Sequence, residues 1–469
     1  MSAGGTGGLE PRVFGIMDGD RRNPGIERVA AAAWQAAALA LLAALGGCEQ
    51  VESVLERVVE PRTPRESYVA SLAAAGLEGS VLVARWRQAA DVALAQPVEV
   101  DPPFEDISFY PAEEPTAVGY VLSLSRGQAL HVTFATEPAG AAGVFLDVFR
   151  VAEDGSMTHV ASADEGATEL EFEPVRTGTF VLRVQPEMLA TVRVRLSLLR
   201  AATLAFPVVG QDPTAAQSRF GAPREGGRRA HEGVDIFAAR GTPVIAAADG
   251  IVRRVGTQRL GGLVVWLRDD ERGYSHYYAH LSAQLVERGA RVRAGDTLGL
   301  VGNTGNARTT PPHLHFGLYR RGEGALDPWP FLAPQPARPP ALVADTARLG
   351  EWVRIRSEER AIFAAAAVET RLPAFTVVRV VGAHDRRLRV RLPDGRVATL
   401  ASPGLASLDT PIDRMRVAAG AAVLDTPVAD ALTRGRVTDP ATLDVVGRFE
   451  RYLLVRSAPG IAGWIAGPD

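Results

Sequence analysis

The spacing of apolar residues changes several times along the chain, and each change predicts a different kind of element. Apolar residues recur at helical intervals within residues 49–96, for example at Val51, Val54 and Val58, which predicts a helical stalk or a helical hairpin packed on the next domain. From residue 119 to residue 199, apolar and polar residues alternate in short runs between glycine-containing turns. A series of such runs predicts a β-sandwich.

The C-terminal part of the chain contains an internal repeat. Residues 334–344 are rich in proline and predict an extended linker. Beyond them, the triplet Val-Val-Gly at residues 380–382 recurs at residues 445–447, so we expect two small β-rich domains of similar size. The segment GIAGWI at residues 460–465 resembles bacterial SH3-like domains, which implies two small β-barrels that bind cell-wall peptides. Packing or spacer modules are the alternative interpretation.

The N-terminal residues have the pattern of an export signal. Residues 29–47 are apolar except for Gln35 and are preceded by arginines, as in a secretory signal peptide. The segment LGGC, which ends at Cys48, resembles a bacterial lipobox. That resemblance implies loss of residues 1–47, a lipidated Cys48, and a membrane-anchored lipoprotein of the cell envelope that faces the periplasm or the cell wall. A retained transmembrane anchor and a buried helix are competing interpretations.

Composition points to a multidomain protein without a nucleic-acid partner. The chain has 469 residues, too many for one core. Its 51 basic and 54 acidic residues nearly cancel, which argues against binding nucleic acid through bulk charge. Cys48 is the single cysteine, so an intrachain disulfide framework and a cysteine-based zinc finger are excluded.

These patterns together predict a mainly β, multidomain chain with a helical stalk near its N-terminus. The expected segments are the signal peptide (1–47), the lipidated cysteine with the stalk (48–103), the β-sandwich (104–200), a β-sheet domain with the candidate chemistry (203–333), the linker (334–344) and two SH3-like domains (345–407 and 411–469).

Histidines are concentrated in the domain at residues 203–333. The chain has eight histidines, and five of them lie in this domain. Four of these five occur in three short motifs, which are HEGVD at residues 231–235, YYAHL at 277–281 and PHLHFG at 312–317. This density, in a segment without cysteine, indicates a metal or catalytic site more than a structural role.

The third motif alternates in the manner of a half-buried strand. Leu314 and Phe316 alternate with His313 and His315, so the two imidazoles share one face, with Cα atoms roughly 7 Å apart. That separation lets one imidazole bind a metal while the other acts on a substrate beside it.

The first motif supplies further candidate ligands. His231 and Asp235 are four residues apart, an even spacing that places both on one face of an extended segment. Two histidines and one carboxylate form a donor set suited to zinc, and three protein ligands leave a fourth position for water. His280 and one of the two strand histidines remain for proton transfer.

Together and in this order, the three motifs resemble the LytM/lysostaphin-type zinc metallopeptidases. The segments GTPVIAAADG at residues 241–250 and GDTLGLVGNTG at residues 295–305 also match that family. The resemblance implies a LytM-type β-sheet domain with a Zn²⁺ cofactor. It also implies an endopeptidase that hydrolyses peptide cross-bridges or stem peptides of bacterial peptidoglycan.

The resemblance implies a role for each matching residue. His231, Asp235 and His315 match the family's zinc ligands, while His280 and His313 match the paired catalytic histidines. By that resemblance, zinc polarises the scissile carbonyl. The two catalytic histidines orient or deprotonate the attacking water, stabilise the oxyanion and protonate the leaving amine. Which histidine performs which step stays open at this point.

A second class of function is compatible with the same resemblance. A non-catalytic LytM-type envelope lipoprotein would activate a separate cell-wall amidase. Such regulators usually lack one or more of the five functional positions, all of which are present here. A third class, a wall-binding tether, would leave the histidines unexplained. The enzyme is therefore the favoured hypothesis.

Other residues near the motifs receive weaker assignments. Glu232 is expected at the surface, because odd spacing turns it away from the ligands. His276 and Tyr278 are expected either to pack structurally or to line the groove. The segment ARTTPP at residues 307–312 is longer than the family's usual lead-in to the strand, and we expect it to reshape the groove rim. The histidines elsewhere are unassigned, namely His131, His159 and His384.

Overall fold

The structure is a computed structural model of the chain. It describes residues 62–333, 338–363, 368–401, 404–457 and 461–467. The predicted signal peptide, Cys48 and the first part of the predicted stalk lie outside the described residues. Among the described residues, no helix is long and apolar enough to cross a membrane. All elements below belong to the unit Pro64–Asp469.

Two helices precede the sandwich, α1 (Pro64–Ala74) and α2 (Val81–Ala95). Ser80 caps α2, because its side-chain oxygen accepts the N–H of Val83. The buried residues of α2 recur at helical spacing and form one face, namely Val83, Trp86, Ala90 and Ala93. Trp86 Nε1 donates to Pro186 O at 2.9 Å. The buried face of α2 therefore packs on the sandwich.

The sandwich consists of two packed sheets. Its strands are β1 (Val98–Glu99), β2 (Phe104–Tyr110), β3 (Val118–Leu124), β4 (Gln128–Glu137), β5 (Val144–Val151), β6 (Met157–Ser162), β7 (Glu169–Phe172), β8 (Gly178–Pro186) and β9 (Val192–Ala202). One sheet has the order β1-β3-β8-β5-β6, and the other contains the order β2-β9-β4-β7. Alternate residues of both sheets meet in one core, for example Leu130, Leu146 and Leu182.

The histidine-rich domain is built on a twisted central sheet. Its strands are β10 (Ala216–Ser218), β11 (Pro223–Arg224), β12 (Arg229–Ala230), β13 (Val234–Phe237), β14 (Pro243–Ile245), β15 (Gly250–Gln258), β16 (Gly262–Asp269), β17 (Tyr274–Leu281), β18 (Ala283–Gln284), β19 (Arg291–Val292), β20 (Thr297–Leu300), β21 (His313–Arg320) and β22 (Gly324–Leu326), followed by α3 (Trp329–Leu332). The central sheet has the order β10-β13-β21-β17-β16-β15-β19. Alternation along β21 buries Leu314, Phe316 and Leu318 in the core, so His313 and His315 face the opposite, open side.

The C-terminal repeats contain the remaining strands. These are β23 (Trp352–Ile355), β24 (Glu359–Phe363), β25 (Val368–Leu372), β26 (Val377–His384), β27 (Arg387–Arg391), β28 (Val397–Ala401), β29 (Leu405–Ser407), β30 (Asp413–Val417), β31 (Ala422–Leu424), β32 (Thr433–Arg436), β33 (Ala441–Phe449), β34 (Tyr452–Ser457) and β35 (Ile461–Ala466). The mainly β, multidomain architecture that the sequence predicts is confirmed.

Among the described residues of the two C-terminal repeats, no closed barrel is found. The first half of β26 pairs with β23, whereas its second half pairs with β2 of the sandwich, as in Asp106 opposite His384. The first repeat and the sandwich therefore share one 11-stranded sheet. The strands of the second repeat form an open, six-stranded order. In the first repeat, the second half of β26 pairs with β2 of the sandwich, so the first repeat does not close on itself.

Buried arginines connect the sandwich with the first repeat, and the first repeat with the second. Arg389 on β27 donates to both carboxylate oxygens of Asp106 on β2, at 3.1 and 3.0 Å, and the two residues are 3% and 0% exposed. Arg354 donates to the carbonyl oxygens of Thr410 and Val446 at 2.7 and 2.8 Å, which links the two repeats. Because each buried charge has hydrogen-bond partners, the junctions are specific contacts of the fold.

Candidate active site

A row of paired residues crosses the open face of the central sheet. Ser218 on β10 lies opposite Asp235 on β13, Asp235 lies opposite His315 on β21, and His315 lies opposite Ala279 on β17. Directly paired residues have neighbouring Cβ atoms on the same face. Strand register therefore places Asp235 and His315 side by side without help from any loop.

His231 joins this row and completes a cluster of three donor atoms. Its Nε2 lies 2.9 Å from His315 Nδ1, and Asp235 Oδ1 lies 3.0 Å from each of these two nitrogens. His231 Nδ1 lies 3.0 Å from the carbonyl oxygen of Arg219. Donation of the Nδ1 proton to that carbonyl leaves the Nε2 lone pair directed at the cluster.

The chemistry of this cluster fits a zinc ion. Two imidazole nitrogens and one carboxylate oxygen are a donor set of catalytic zinc sites, in which tetrahedral ligands lie roughly 3.3 Å apart. The observed separations of 2.9–3.0 Å are slightly shorter, so the donors need only small outward movements. The side chains of His231, Asp235 and His315 are 4%, 10% and 14% exposed. The structure thus brings the three predicted ligands together in a largely buried site.

The electrostatic surroundings favour the ligand forms of these residues. Burial acts to raise the pKa of Asp235, but hydrogen bonds from His231 and His315 outweigh it and hold that pKa well below its usual value. Burial lowers the pKa of His315 and outweighs its contact with Asp235. A carboxylate and a neutral imidazole are the protonation states that bind metal ions.

Steric crowding explains why the HEGVD motif has a glycine at Gly233. A Cβ on Gly233 would lie 2.4 Å from Phe316 O and 2.8 Å from the His315 ring. Real Cβ atoms do not approach so closely, so a side chain here would push β21 away. Gly233 therefore permits the close approach of the two ligand-bearing segments.

His280 reaches the open face through an irregularity in β17. Tyr277 and Ala279 face the cavity, so strict alternation would turn His280 into the core. The register between β16 and β17 shifts at this point, and His280 has φ of 63°, in the left-handed region that non-glycine residues rarely adopt. The bulge turns the His280 side chain onto the same face as the cluster.

His280 and His313 form a second pair beside the cluster. Their ring centroids lie 5.0 Å apart, and His280 lies 6.0 Å from the His315 ring. His280 Nδ1 lies 2.9 Å from Thr304 O, and His313 Nδ1 lies 2.9 Å from Pro311 O. Because Nδ1–H donates to a carbonyl in each case, Nε2 is left for a substrate. Burial lowers the pKa of His280 to about 4, so this ring is neutral near pH 7.

A cavity of about 510 Å³ lies over these five side chains. Within the described part of the chain, every residue that lines it lies between Ser218 and Tyr319. The predicted rim segment contributes Ala307, Thr310 and Pro311. The cavity is therefore formed by the histidine-rich domain alone, and the segment at residues 307–312 borders it.

Three aromatic residues form one wall of the cavity, and we call them the aromatic wall. They are Trp266, Tyr277 and Tyr319. Trp266 lies 4.5 Å from Tyr277 and 5.2 Å from Tyr319 between ring centroids. Tyr277 in turn lies 5.8 Å from the His315 ring, so the wall continues from the cluster along the sheet.

The weaker assignments have mixed outcomes. His276 and Tyr278 point into the core and are 0% exposed, so both pack structurally and neither lines the cavity. Glu232 is exposed as expected, yet it borders the cavity and accepts the Tyr319 hydroxyl at 3.3 Å.

The sequence patterns did not indicate that Arg224 and Ser218 lie beside Asp235. Arg224 Nη2 donates to Asp235 Oδ2 at 2.5 Å and to Ser218 Oγ at 2.7 Å. Neither residue belongs to a histidine motif. The spacing of Ser218 and Arg224 along the chain carries no signal of this contact, since it depends on how β10 and the β11–β12 hairpin fold back.

Comparison with known proteins identifies this domain. Residues 229–328 match the model of peptidase family M23. The chain carries an M23 peptidase domain. The predicted resemblance to LytM/lysostaphin-type peptidases is thus confirmed. The five clustered side chains all lie within the matched residues of the M23 domain.

Named relatives also match part of the chain. The L-Ala–D-Glu endopeptidase of Bacillus subtilis is 40% identical over 139 residues, which are 27% of this chain and 42% of that protein. The peptidoglycan DD-endopeptidase ShyC of Vibrio cholerae is 42% identical over 100 residues, which are 21% of this chain and 22% of that protein. The chain therefore spans less than half of the length of either relative.

A solved structure also matches part of the chain. The catalytic domain of lysostaphin from Staphylococcus simulans is 31% identical, with 28% of this chain and 93% of that chain covered and a TM-score of 0.23. The family model covers residues 229–328, so the sandwich and the repeats are interpreted from their own structure.

Proposed function

We propose that the protein is a zinc metalloendopeptidase that hydrolyses cross-bridges or stem peptides of bacterial peptidoglycan. The observation that carries this proposal is the placement of the His280–His313 pair beside the His231–Asp235–His315 cluster in one open cavity. A structural metal site would need the cluster but would have no use for the second pair.

The relatives support peptidoglycan as the substrate class. One is named for cleavage between L-Ala and D-Glu, and the other is named a peptidoglycan DD-endopeptidase. These names specify different bonds, so similarity to them supports a class of substrate and not one bond.

The residues of the cluster would hold the metal. His231 Nε2, Asp235 Oδ1 and His315 Nδ1 are the donor atoms. A zinc ion bound there supplies a Lewis acid for the scissile carbonyl and lowers the pKa of water. The rigid register of β13 with β21 keeps two of the donors in place before any ligand arrives.

His280 and His313 would handle the protons of the reaction. Their Nε2 atoms are left for the substrate because the Nδ1 atoms are engaged by carbonyl oxygens. A neutral imidazole accepts a proton from the attacking water at Nε2 and passes it to the leaving nitrogen. The other ring would donate to the oxygen that becomes negative in the transition state from a protonated Nε2, and so as an imidazolium, because its Nδ1–H is already engaged by a carbonyl oxygen. Both steps need rings within reach of one reacting carbon, which the paired arrangement provides.

Metal analysis and digestion of sacculi test this function together. We expect one zinc per chain in protein that lacks residues 1–47, and release of peptides from purified sacculi without any added amidase. Asp235→Asn should lose both properties, whereas Asp270→Asn, which alters an exposed aspartate, should retain both. Zinc binding without digestion, together with stimulation of an added amidase, would instead support the non-catalytic alternative.

The same proposal places the enzyme at the cell envelope. Cleavage of signal residues 1–47 and lipidation of Cys48 would tether the M23 domain to a membrane, where it faces the periplasm or the cell wall. The repeats would serve as SH3-like modules that contact the wall. Labelled fatty acid should be incorporated by the full-length chain and not by its Cys48→Ala variant, and incorporation by both would contradict the anchor.

A further inference from the structure

We infer that Arg224 is a positioning residue of the proposed metal centre. It holds the outer carboxylate oxygen of Asp235, so that only the inner oxygen faces the two imidazoles. The inference rests on the proposed metal site, and it concerns how that site is shaped. It assigns a role to a residue outside the histidine motifs.

The two oxygens of Asp235 have different partners. Oδ1 lies 3.0 Å from His231 Nε2 and from His315 Nδ1. Oδ2 accepts a hydrogen bond from Arg224 Nη2 at 2.5 Å. The carboxylate is thus divided into one oxygen for the cluster and one oxygen for the guanidinium.

Arg224 is itself held in place by a second contact. The same Nη2 donates to Ser218 Oγ at 2.7 Å, and Ser218 lies opposite Asp235 in the β10–β13 pairing. Ser218 Oγ also lies 3.4 Å from His231 Nδ1. Arg224 therefore contacts one ligand directly and a neighbour of a second ligand.

The hairpin that carries Arg224 also delivers a ligand. Arg224 on β11 pairs with Arg229 on β12, and β12 ends one residue before His231. A shift of this hairpin would therefore move the His231 imidazole as well as the guanidinium. The contact between Arg224 and Asp235 links the hairpin to the rigid central sheet across the site.

The burial of the carboxylate separates this contact from an ordinary surface ion pair. The side chain of Asp235 is 10% exposed and that of Arg224 is 32% exposed. Exposed ion pairs contribute little because solvent screens them. A charge-assisted hydrogen bond to a largely buried carboxylate is stronger and directional, so it can fix the rotation of the carboxyl group.

The expected consequence is a carboxylate that offers the metal one oxygen. A carboxylate can bind a metal through one oxygen or through both. While Oδ2 is engaged by Arg224, three single-atom donors leave a fourth position for water or substrate. Without Arg224, Oδ2 is free to turn toward the metal and to occupy that position.

Metal titration of matched variants tests the inference. The variants are Arg224→Gln, Arg224→Lys and, as a control, Arg228→Gln, which alters an exposed arginine on the same hairpin. Zinc affinity is measured by competition with a chromophoric chelator. Loss of a residue that orients a metal ligand typically weakens metal binding about 10- to 100-fold. We expect a loss in this range for Arg224→Gln, a smaller loss for Arg224→Lys and no change for Arg228→Gln.

The visible spectrum of the cobalt-substituted protein supplies a second measurement. If Arg224 had a purely structural role, its substitution would not change this spectrum. Four-coordinate cobalt absorbs more strongly than five-coordinate cobalt, so Arg224→Gln should show a weaker band than wild type. Unchanged affinity and an unchanged band in Arg224→Gln would overturn the inference while leaving the proposed function intact. If wild type bound neither metal, the proposed function and this inference would both fail. If Arg224→Gln does not fold, the zinc affinity and the cobalt band of Arg224→Lys are compared with those of wild type, and unchanged values would likewise overturn the inference.

Discussion

Asp235 and His315 lie directly opposite each other on β13 and β21, with Asp235 Oδ1 3.0 Å from His315 Nδ1. Two of the three proposed ligands are therefore fixed by hydrogen bonding within a sheet and not by loops. Residues on either side of this pair, Leu314 and Phe316, are buried in the core. The site thus draws its rigidity from the packing of the central sheet.

Adding a methyl group at Gly233 should disturb this arrangement. In Gly233→Ala, the new Cβ would lie 2.4 Å from Phe316 O, so β13 and β21 must separate. We expect a loss of about 1–3 kcal/mol in the free energy of unfolding, measured by urea denaturation, and weaker zinc binding. Gly435→Ala is the matched control, because its Cβ would meet no atom within 4 Å. Equal stability of the two variants would contradict this account of the motif.

Breaking the ion pair between Arg389 and Asp106 should destabilise the shared sheet. Arg389→Met leaves the Asp106 carboxylate buried without its charge partner, which should cost about 3–5 kcal/mol. Urea denaturation measures the loss, and Arg387→Met on the same strand, at an exposed position, should change stability little.

A double variant separates lost charge pairing from lost packing. Arg389→Met combined with Asp106→Leu removes both charges, so we expect it to recover most of the stability. A double variant as unstable as Arg389→Met alone would show that shape, and not the unpaired carboxylate, determines the loss.

The buried His276 should make stability depend on pH. Burial lowers the pKa of His276 from 6.5 to about 3. Between these two pH values, His276 is therefore protonated in the unfolded chain and neutral in the folded chain. Its contribution is therefore fully present above about pH 6.5 and is lost as pH falls, by at most about 1.4 kcal/mol per pH unit. His276→Phe should reduce the slope of unfolding free energy against pH in chelator-treated protein.

A histidine at the surface is the control for this slope. The His131 side chain is 39% exposed, and His131→Gln should keep the wild-type slope. A His276→Phe protein with the wild-type slope would show that the proton uptake belongs to other groups.

The aromatic wall should contribute to substrate binding more than to the chemical step. Trp266 is half-buried at the cavity and contacts Tyr277 and Tyr319. Trp266→Ala should raise KM about 2- to 10-fold with little change in kcat, from the usual strength of aromatic contacts. Trp352→Ala alters a tryptophan that is 41% exposed on the first repeat and should leave both constants unchanged. A fall confined to kcat in Trp266→Ala would contradict this assignment.

Sequence periodicity could predict the face of β21 but not the orientation of His280. Along β21 the alternation is regular, so the shared face of His313 and His315 follows from their spacing. In β17 the same rule would bury His280, and only the bulge with its positive φ reverses that outcome. The motif resemblance named His280 where periodicity alone would have excluded it.

Sequence patterns could not predict the contacts between distant segments. The contact of Arg224 with Asp235 depends on the fold of a hairpin, and the pairing of β2 with β26 joins residues that are far apart in sequence. The residues on either side of such a contact lie in local sequence patterns that give no sign of it. The repeats were correctly expected to be β-rich. The pairing of β26 in the first repeat with β2 of the sandwich was not expected.

The central claim is tested most directly by the appearance of new amine termini in purified sacculi. Zinc-loaded protein without residues 1–47 is incubated with sacculi, and the free amines are labelled and counted. The account predicts amine release by wild type and by His159→Ala, an exposed histidine outside the M23 domain, and at least a 100-fold slower release by His313→Ala. Absence of amine release by wild type, or equal release by His313→Ala, would contradict it.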